Sequence, residues 1–304
     1  MIFMLTVEQE YDELDMAVRL FQNTSMRIRY SGVPVVVAPH GMALGGGCEF
    51  SLHADKIQAA AETYIGLVEM VIGVIPGGGG AKEFALRAVD EYFDGEIEIE
   101  PLKRRFFAIG TAKVATSAYE AFEIGIMRKG IDEISMNQSR RIADAKRSVL
   151  EIFNEGYVQA QPRTDVKVLG RGALGAMLAG LNGMRLGNYI TDHDQKVATK
   201  LAYVMCGGDL SEAALVSEQY LLDIEREAFM SLAGEKKTLE RIQSVLKGGE
   251  AGEELKLPHP LPFSPGEKGA HIPGSLWKAK RVWNYKLPTS FISPSKKLIF
   301  KMLL

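Results

Sequence analysis

The chain is poor in cysteine, in net charge and in long apolar runs, and each shortage narrows what it can be. Only two cysteines, Cys48 and Cys206, occur in 304 residues. Neither belongs to a pair spaced like a metal site, so the expected compartment is reducing and intracellular. Thirty-six basic residues face thirty-eight acidic ones, a formal net charge of -2. Such a balance gives no overall field to recruit nucleic acid or an anionic membrane. No apolar run reaches the roughly eighteen residues that a membrane span needs, and no basic region leads into an apolar stretch and cleavage site at the N-terminus. A cytoplasmic protein without nucleic-acid partner or transmembrane segment is expected. With 46% hydrophobic residues, the chain can bury a substantial core as one or two domains.

Glycine, by contrast, is concentrated where chemistry could use it. The run Val33-Pro-Val-Val-Val-Ala38 is β-branched and uncharged and reads as a strand buried on both faces. It is followed by His40-Gly-Met-Ala-Leu-Gly-Gly-Gly-Cys-Glu49, whose glycines let the backbone turn sharply and approach a ligand. A helix over Cys48 to Ala54 would put the free N–H groups of Gly46 and Gly47 at its positive end, forming an anion or oxyanion site. Glu49 in its first turn, beside Phe50 and Leu52, reads as a half-buried carboxylate with a raised pKa that can exchange protons. Twenty residues on, Tyr64-Ile-Gly-Leu-Val-Glu69 ends in a second carboxylate, and Ile75-Pro76 leads through four glycines into the helix-like segment 81–88. Two carboxylates from neighbouring elements are thus expected to face one cavity. The competing reading, ordinary turns with surface or capping glutamates, suits either glycine cluster alone better than the ordered pair.

From Val33 to Ala88 the text "PVVVAPHGMALGGGCEF", "ADKIQAAAETYIGLVEM" and "GVIPGGGGAKEF" resembles the crotonase (enoyl-CoA hydratase/isomerase) superfamily. It is most similar to the hydratase part of bacterial-type fused 3-hydroxyacyl-CoA dehydrogenase/enoyl-CoA hydratase proteins of fatty-acid β-oxidation. Later text, "TDHDQKVATKLAYVMCGGDL" and "SEQYLLDIEREAFMSL", extends the resemblance to about residue 248. The resemblance implies an α/β fold, a crotonase-like spiral of ββα repeats with a helical C-terminal region. It makes Gly46 the oxyanion-hole glycine whose N–H binds the thioester oxygen, Glu49 and Glu69 the catalytic pair, and Gly77 the glycine whose N–H helps hold the reacting water. The implied reaction is syn addition of water to a trans-2-enoyl-CoA, Glu49 helping to deprotonate the water that attacks C3 and Glu69 exchanging the proton at C2. Two acids sharing one water titrate as a pair. The same glutamates also suit a double-bond isomerase.

The resemblance further implies an acyl-CoA thioester as substrate and no cofactor in this chain, NAD belonging to a dehydrogenase part. It implies a homo-oligomer or that dehydrogenase domain as partner. In the family, a second oxyanion N–H comes from a short turn before the equivalent of Met1-Ile-Phe-Met-Leu. The chain therefore reads as a fold incomplete at its N-terminus, and an impaired fragment serving only as an interaction partner is the rival reading.

Three regions follow from these readings: a core over 1–135, a helical region of the same enzyme part over 136–247, and a tail over 248–304. The tail holds seven of the twelve prolines, and from Lys256 onward nine basic residues face the single acid Glu267. It is expected to lack a core of its own. One amphipathic helix is expected from Val7 to Tyr30, with Leu14, Val18, Phe21, Ser25 and Ile28 on one face. The acidic stretch 91–101 reads as a loop around the substrate mouth, and 102–109 and 117–123 read as helices. A further helix is expected over 137–156 with Asn137 as cap, and closely packed glycine-rich helices over 170–187. Asp192-His193-Asp194 reads as a helix cap, His40 and His53 as structural histidines, and Cys48 as a small packing residue without the base or positive setting of a nucleophile.

Overall fold

A computed structural model of the protein describes residues 2–93 and 97–247. The expected tail and residues 94–96 of the expected acidic loop lie outside the described residues. The helix expected over 7–30 is α2 (Tyr11–Arg29), four residues shorter at its start, and it is preceded by a helix not expected, α1 (Ile2–Val7). Gln9 takes φ +61° between them, a left-handed turn that no helix carries through. Helix α2 buries Leu14, Val18, Gln22 and Ser25, a stripe at steps of four and three. Asp12 and Glu13 in its first turn and Arg27 and Arg29 in its last suit the helix dipole.

Next come β1 (Val36–Val37), β2 (Gly41–Leu44), α3 (Gly46–Leu52), β3 (Lys56–Ala60), β4 (Thr63–Gly66), a 3-10 turn over Glu69–Ile72 and α4 (Gly80–Val89). After them follow α5 (Ile99–Gly110), α6 (Ala118–Glu123) and β5 (Glu133–Ser135). The strands form two parallel sheets, β1-β3-β5 and β2-β4. Their registers, Val36 opposite Lys56 and Met42 opposite Tyr64, advance both sheets together along the chain. The expected doubly buried strand over 33–38 is corrected. Only Val36 and Val37 pair, both are half-buried, and Val33 is 62% exposed. The cause is that β1 is hydrogen-bonded along one edge alone, to β3. The loop expected over 91–101 is shorter than thought, since α5 begins at Ile99 and takes Pro101 into its first turn, where a missing N–H costs nothing.

The remaining elements are a 3-10 turn over Gln138–Arg140, α7 (Arg141–Asn154), β6 (Val166–Val168), α8 (Gly170–Leu186), α9 (Asp192–Met205), β7 (Ala214–Val216), α10 (Glu218–Ala233) and α11 (Lys236–Leu246). Strands β6 and β7 pair antiparallel. Asn137 caps the 3-10 turn rather than α7 itself. Of the α8 glycines only Gly170 packs closely, a Cβ there meeting the Glu212 carbonyl oxygen at 2.5 Å, whereas a Cβ at Gly172, Gly175, Gly180 or Gly183 would meet nothing within 4 Å. The latter lie off the buried stripe Ala173, Met177 and Leu181. Thr191 caps α9 in a capping box with Asp194, Asp192 pairs with Arg185, and His193 bonds Thr238 at 3.0 Å. The expected cap is therefore present, one residue earlier than the triplet. One buried apolar cluster runs from Leu14 to Ala233, and α10 packs against α2, α4, α9 and α11. Among the described residues no helix is long and apolar enough to cross a membrane.

Candidate active site

Two turns build the site. The first leaves β2 at Gly45, which adopts φ +54°, a conformation that costs glycine nothing. Its N–H bonds the Gly66 carbonyl at the end of β4 (2.9 Å), tying the two parallel strands where both turns begin. Helix α3 starts at Gly46, two residues earlier than expected. Its ladder opens with the Glu49 N–H donating to the Gly45 carbonyl at 2.9 Å, so the Gly46 and Gly47 N–H groups precede the ladder. Gly46 is buried and Gly47 exposed.

Glu49 is 3% exposed, not half-buried. It reaches across to the second turn, where Oε1 accepts the N–H groups of Gly78 (2.8 Å) and Gly80 (2.9 Å). Burial first, then the neighbouring charges of Glu69 and Glu225, push its carboxyl well above the usual range, against those two N–H bonds. Glu69 opens the 3-10 turn instead of ending a strand. Its Oε2 is fully buried and has no hydrogen-bond partner among the described residues. Burial raises its carboxyl to about 7, with Glu225 adding and the N–H groups of Glu69 and Val68 opposing. The two glutamates singled out in sequence are thus brought into electrostatic contact. Gly77 sits against the Phe229 ring, which a Cβ there would meet at 2.9 Å. Gly78 and Gly80, not Gly77, donate to Glu49.

Several residues of the site escaped the sequence reading. Glu225 of α10 accepts the Gly79 N–H (2.6 Å) and the Lys82 N–H (2.9 Å), and burial raises its carboxyl to about 7. Its signal was a carboxylate on the apolar face of α10, four residues from both Leu221 and Phe229. Phe21 of α2 lies over Gly78 and against Phe50, ring centroids 4.7 Å apart. Behind the loop, Glu83 pairs with Arg29, Arg87 and Lys82. Although burial alone would raise it, those cations hold Glu83 well below the usual carboxylate range. No sequence signal marked this network, because α4 is buried on nearly every side.

Of the two histidines expected to be structural, His53 bears the expectation out and the exposed His40 does not. His53 is buried, its Nδ1 2.6 Å from the Glu49 carbonyl and its Nε2 3.1 Å from Lys82 Nζ. Burial and then Lys82 press its pKa well down, so it stays neutral. His40 is exposed. Cys48 is buried, and burial with the Glu69 and Glu49 charges pushes its thiol up, which leaves it a packing residue.

Residues 6–93 match the sequence profile of the family described as enoyl-CoA hydratase/isomerase. The chain is 44% identical over 250 residues to a Bacillus subtilis (strain 168) protein named "Probable 3-hydroxyacyl-CoA dehydrogenase", an alignment covering 82% of this chain and 31% of that protein. It is 48% identical over 50 residues to the human mitochondrial methylglutaconyl-CoA hydratase, 16% of this chain and 15% of that one. Its fold is similar to that of an enoyl-CoA hydratase from Rhodobacter sphaeroides 2.4.1, with a TM-score of 0.53 at 16% identity over 85% of this chain and 78% of the other. The chain belongs to the crotonase superfamily and has its α/β fold. It spans about a third of the length of the Bacillus relative.

Proposed function

We propose that this chain is an enoyl-CoA hydratase, adding water syn across a trans-2-enoyl-CoA. The observation that carries the reading is the pair Glu49 and Glu69: two raised carboxylates in electrostatic contact, Glu49 buried in the first turn of α3 and Glu69 half-buried with its Oε2 enclosed. Their joint upward shift keeps at least one proton on the pair near neutrality. Syn addition needs that state, one carboxylate to take a proton from the water attacking C3 and one acid to deliver a proton to C2. Gly46 would donate its N–H to the thioester oxygen as the enolate forms, where a preorganised donor acts on developing charge. Gly77 would help hold the water. The product, a 3-hydroxyacyl thioester, is what the name of the Bacillus relative leads one to expect as the next enzyme's substrate. The second reading, an isomerase, uses the same pair without adding water. We further propose a 3-hydroxyacyl-CoA dehydrogenase part or a second copy of the chain as partner, with NAD held outside this chain, and regions 1–135 and 136–247 as two parts of one enzyme unit.

The test is Glu49→Gln and Glu69→Gln, singly and together, assayed by loss of the enoyl absorbance of crotonyl-CoA with product analysis. Each single change should lower the rate about a hundredfold or more while thioester binding is kept. The double change should cost far less than the product of the two, since the pair acts as a unit. Single variants with full activity would overturn the assignment, and a shifted double bond without added water would establish the isomerase instead.

A further inference from the structure

The start of α4 presents the N–H groups of Gly78, Gly79, Gly80 and Lys82, and two carboxylates divide them. Glu49 accepts from Gly78 and Gly80, while Glu225 accepts from Gly79 and Lys82. The two acceptors come from opposite directions, α3 and α10, and interleave residue by residue. Helix α10 holds the same loop a second time, because Phe229, one turn beyond Glu225, packs on Gly77. Helix α2 supports the arrangement through Gln22, whose amide donates to the Leu222 carbonyl (3.0 Å) and to Glu225 Oε1 (3.5 Å). Both bonds to Glu49 converge on Oε1, and among the described residues no such bond reaches Oε2.

We propose that Glu225 is a positioning residue of the site: by taking the Gly79 and Lys82 N–H groups it fixes the loop so that Glu49 is held through Oε1 with Oε2 free for the reacting water. This rests on the hydratase reading of Glu49. Without Glu225 the two N–H groups it serves would be buried without acceptors, and the loop could turn them towards Glu49, the other carboxylate within reach. Charge follows geometry. The groups around Glu225 are Glu49 of α3, Glu69 of the 3-10 turn and Lys82 of α4, with Arg29, Glu83 and Glu218 joined to Lys82. Once ionised, Glu225 opposes ionisation of Glu49 and Glu69.

The experiment follows carboxyl carbons by NMR in the full chain labelled at glutamate, with crotonyl-CoA kinetics across pH. In Glu225→Gln the Glu49 midpoint should fall by about one pH unit, as loss of a like charge a few ångströms away requires. The acid limb of the rate profile should move the same way and kcat should drop at least about tenfold with KM little changed, because the misplaced group acts in the transition state. Glu225→Asp keeps the charge on a shorter arm, so it should leave the Glu49 midpoint in place while the Gly79 and Lys82 amides lose slow exchange. A Glu49 midpoint identical in wild type and Glu225→Gln would overturn the proposal. If the variants fail to fold, the wild type decides. The amide shifts of Gly79 and Lys82 should follow Glu225, with Gly78 and Gly80 responding in the same step, and independent titration would overturn the proposal. A wild type that hydrates nothing while the midpoint still moves would defeat the hydratase reading alone. Hydration with an unmoved profile would defeat the positioning role alone.

Discussion

Adding one methyl group at Gly78 tests how tightly the site is closed. A Cβ there would overlap the edge of the Phe21 ring, at Cε1 and Cδ1, and come within 2.7 Å of Glu49 Oε2. Carbon atoms pack best at about 3.5–4.0 Å, so the ring must retreat by on the order of 1 Å or more. The ring also packs on Phe50, centroids 4.7 Å apart, so its retreat disturbs that contact. Overpacking of this kind costs about 1–3 kcal/mol, or very roughly 2–12 °C in Tm for a chain of this size. The carboxylate must give way as well, which should lower hydration beyond what lost stability explains. Thermal melts of Gly78→Ala, Phe21→Ala and the double variant form the assay. Removing the ring removes the obstacle, so the methyl group should cost little in the Phe21→Ala background, with a coupling of about 1 kcal/mol or more. Additive single effects, or a Gly78→Ala variant as stable and active as wild type, would refute the close contact.

The stability contributed by Glu69 and Glu225 should fall as pH rises from about 4.5 to about 7. Glu69 and Glu225 are raised from 4.5 to about 7 in the fold, so the native state binds more protons than the unfolded chain across that window. Each contributes on the order of 3 kcal/mol below it that is lost above it. Glu83, held low by Arg29, Lys82 and Arg87, and the buried His53 and His193, pressed down chiefly by burial, work in the opposite sense, Glu83 losing its contribution as pH falls below the ordinary carboxylate range and the histidines as pH falls below 6.5. Urea melts of wild type and Glu225→Gln from about pH 4.5 to 8 isolate the glutamate part: the wild type should lose more stability than the variant across that range, and parallel curves would contradict it. Thr191→Ala removes the side-chain cap and half of the capping box of α9, and should cost about 1 kcal/mol by denaturant melt, whereas an unchanged midpoint would show the cap to be idle.

What was legible in the sequence was what local chemistry writes there. The glycine turns and the two glutamates carry their signals within a few residues, and the structure brings Glu49 and Glu69 into electrostatic contact. Boundaries were less legible. The β-branched run 33–38 looked buried because periodicity cannot tell a strand paired on one edge from a central one. Gly172, Gly175, Gly180 and Gly183 of α8 looked like packing points, as Gly170 is, because composition does not say which face they occupy. Glu225 was invisible as a site residue because its partners, Gly79 and Lys82, lie more than 140 residues away. In sequence, a carboxylate between Leu221 and Phe229 reads as a fault in an amphipathic stripe. Only the crossing of α10 over the α4 start turns it into a ligand for backbone N–H groups.

That crossing also decides which force governs the acids. A helix N-terminus favours carboxylate ions by about 0.3–2 kcal/mol, and Glu49 and Glu225 each accept two N–H bonds there. On those grounds alone both would ionise more readily than a free side chain. Yet Glu225 stands at about 7 after its N–H bonds have acted, a shift towards the neutral form of on the order of 3 kcal/mol. Burial therefore outweighs the helix terminus. The glycine loop sets where the carboxylates sit, while the apolar walls and the crowding of three like groups set how many protons they keep. A group that must both take and return a proton near neutrality needs both conditions, and in this chain they come from different elements: position from α4, proton affinity from the packing of α2 and α10 over it.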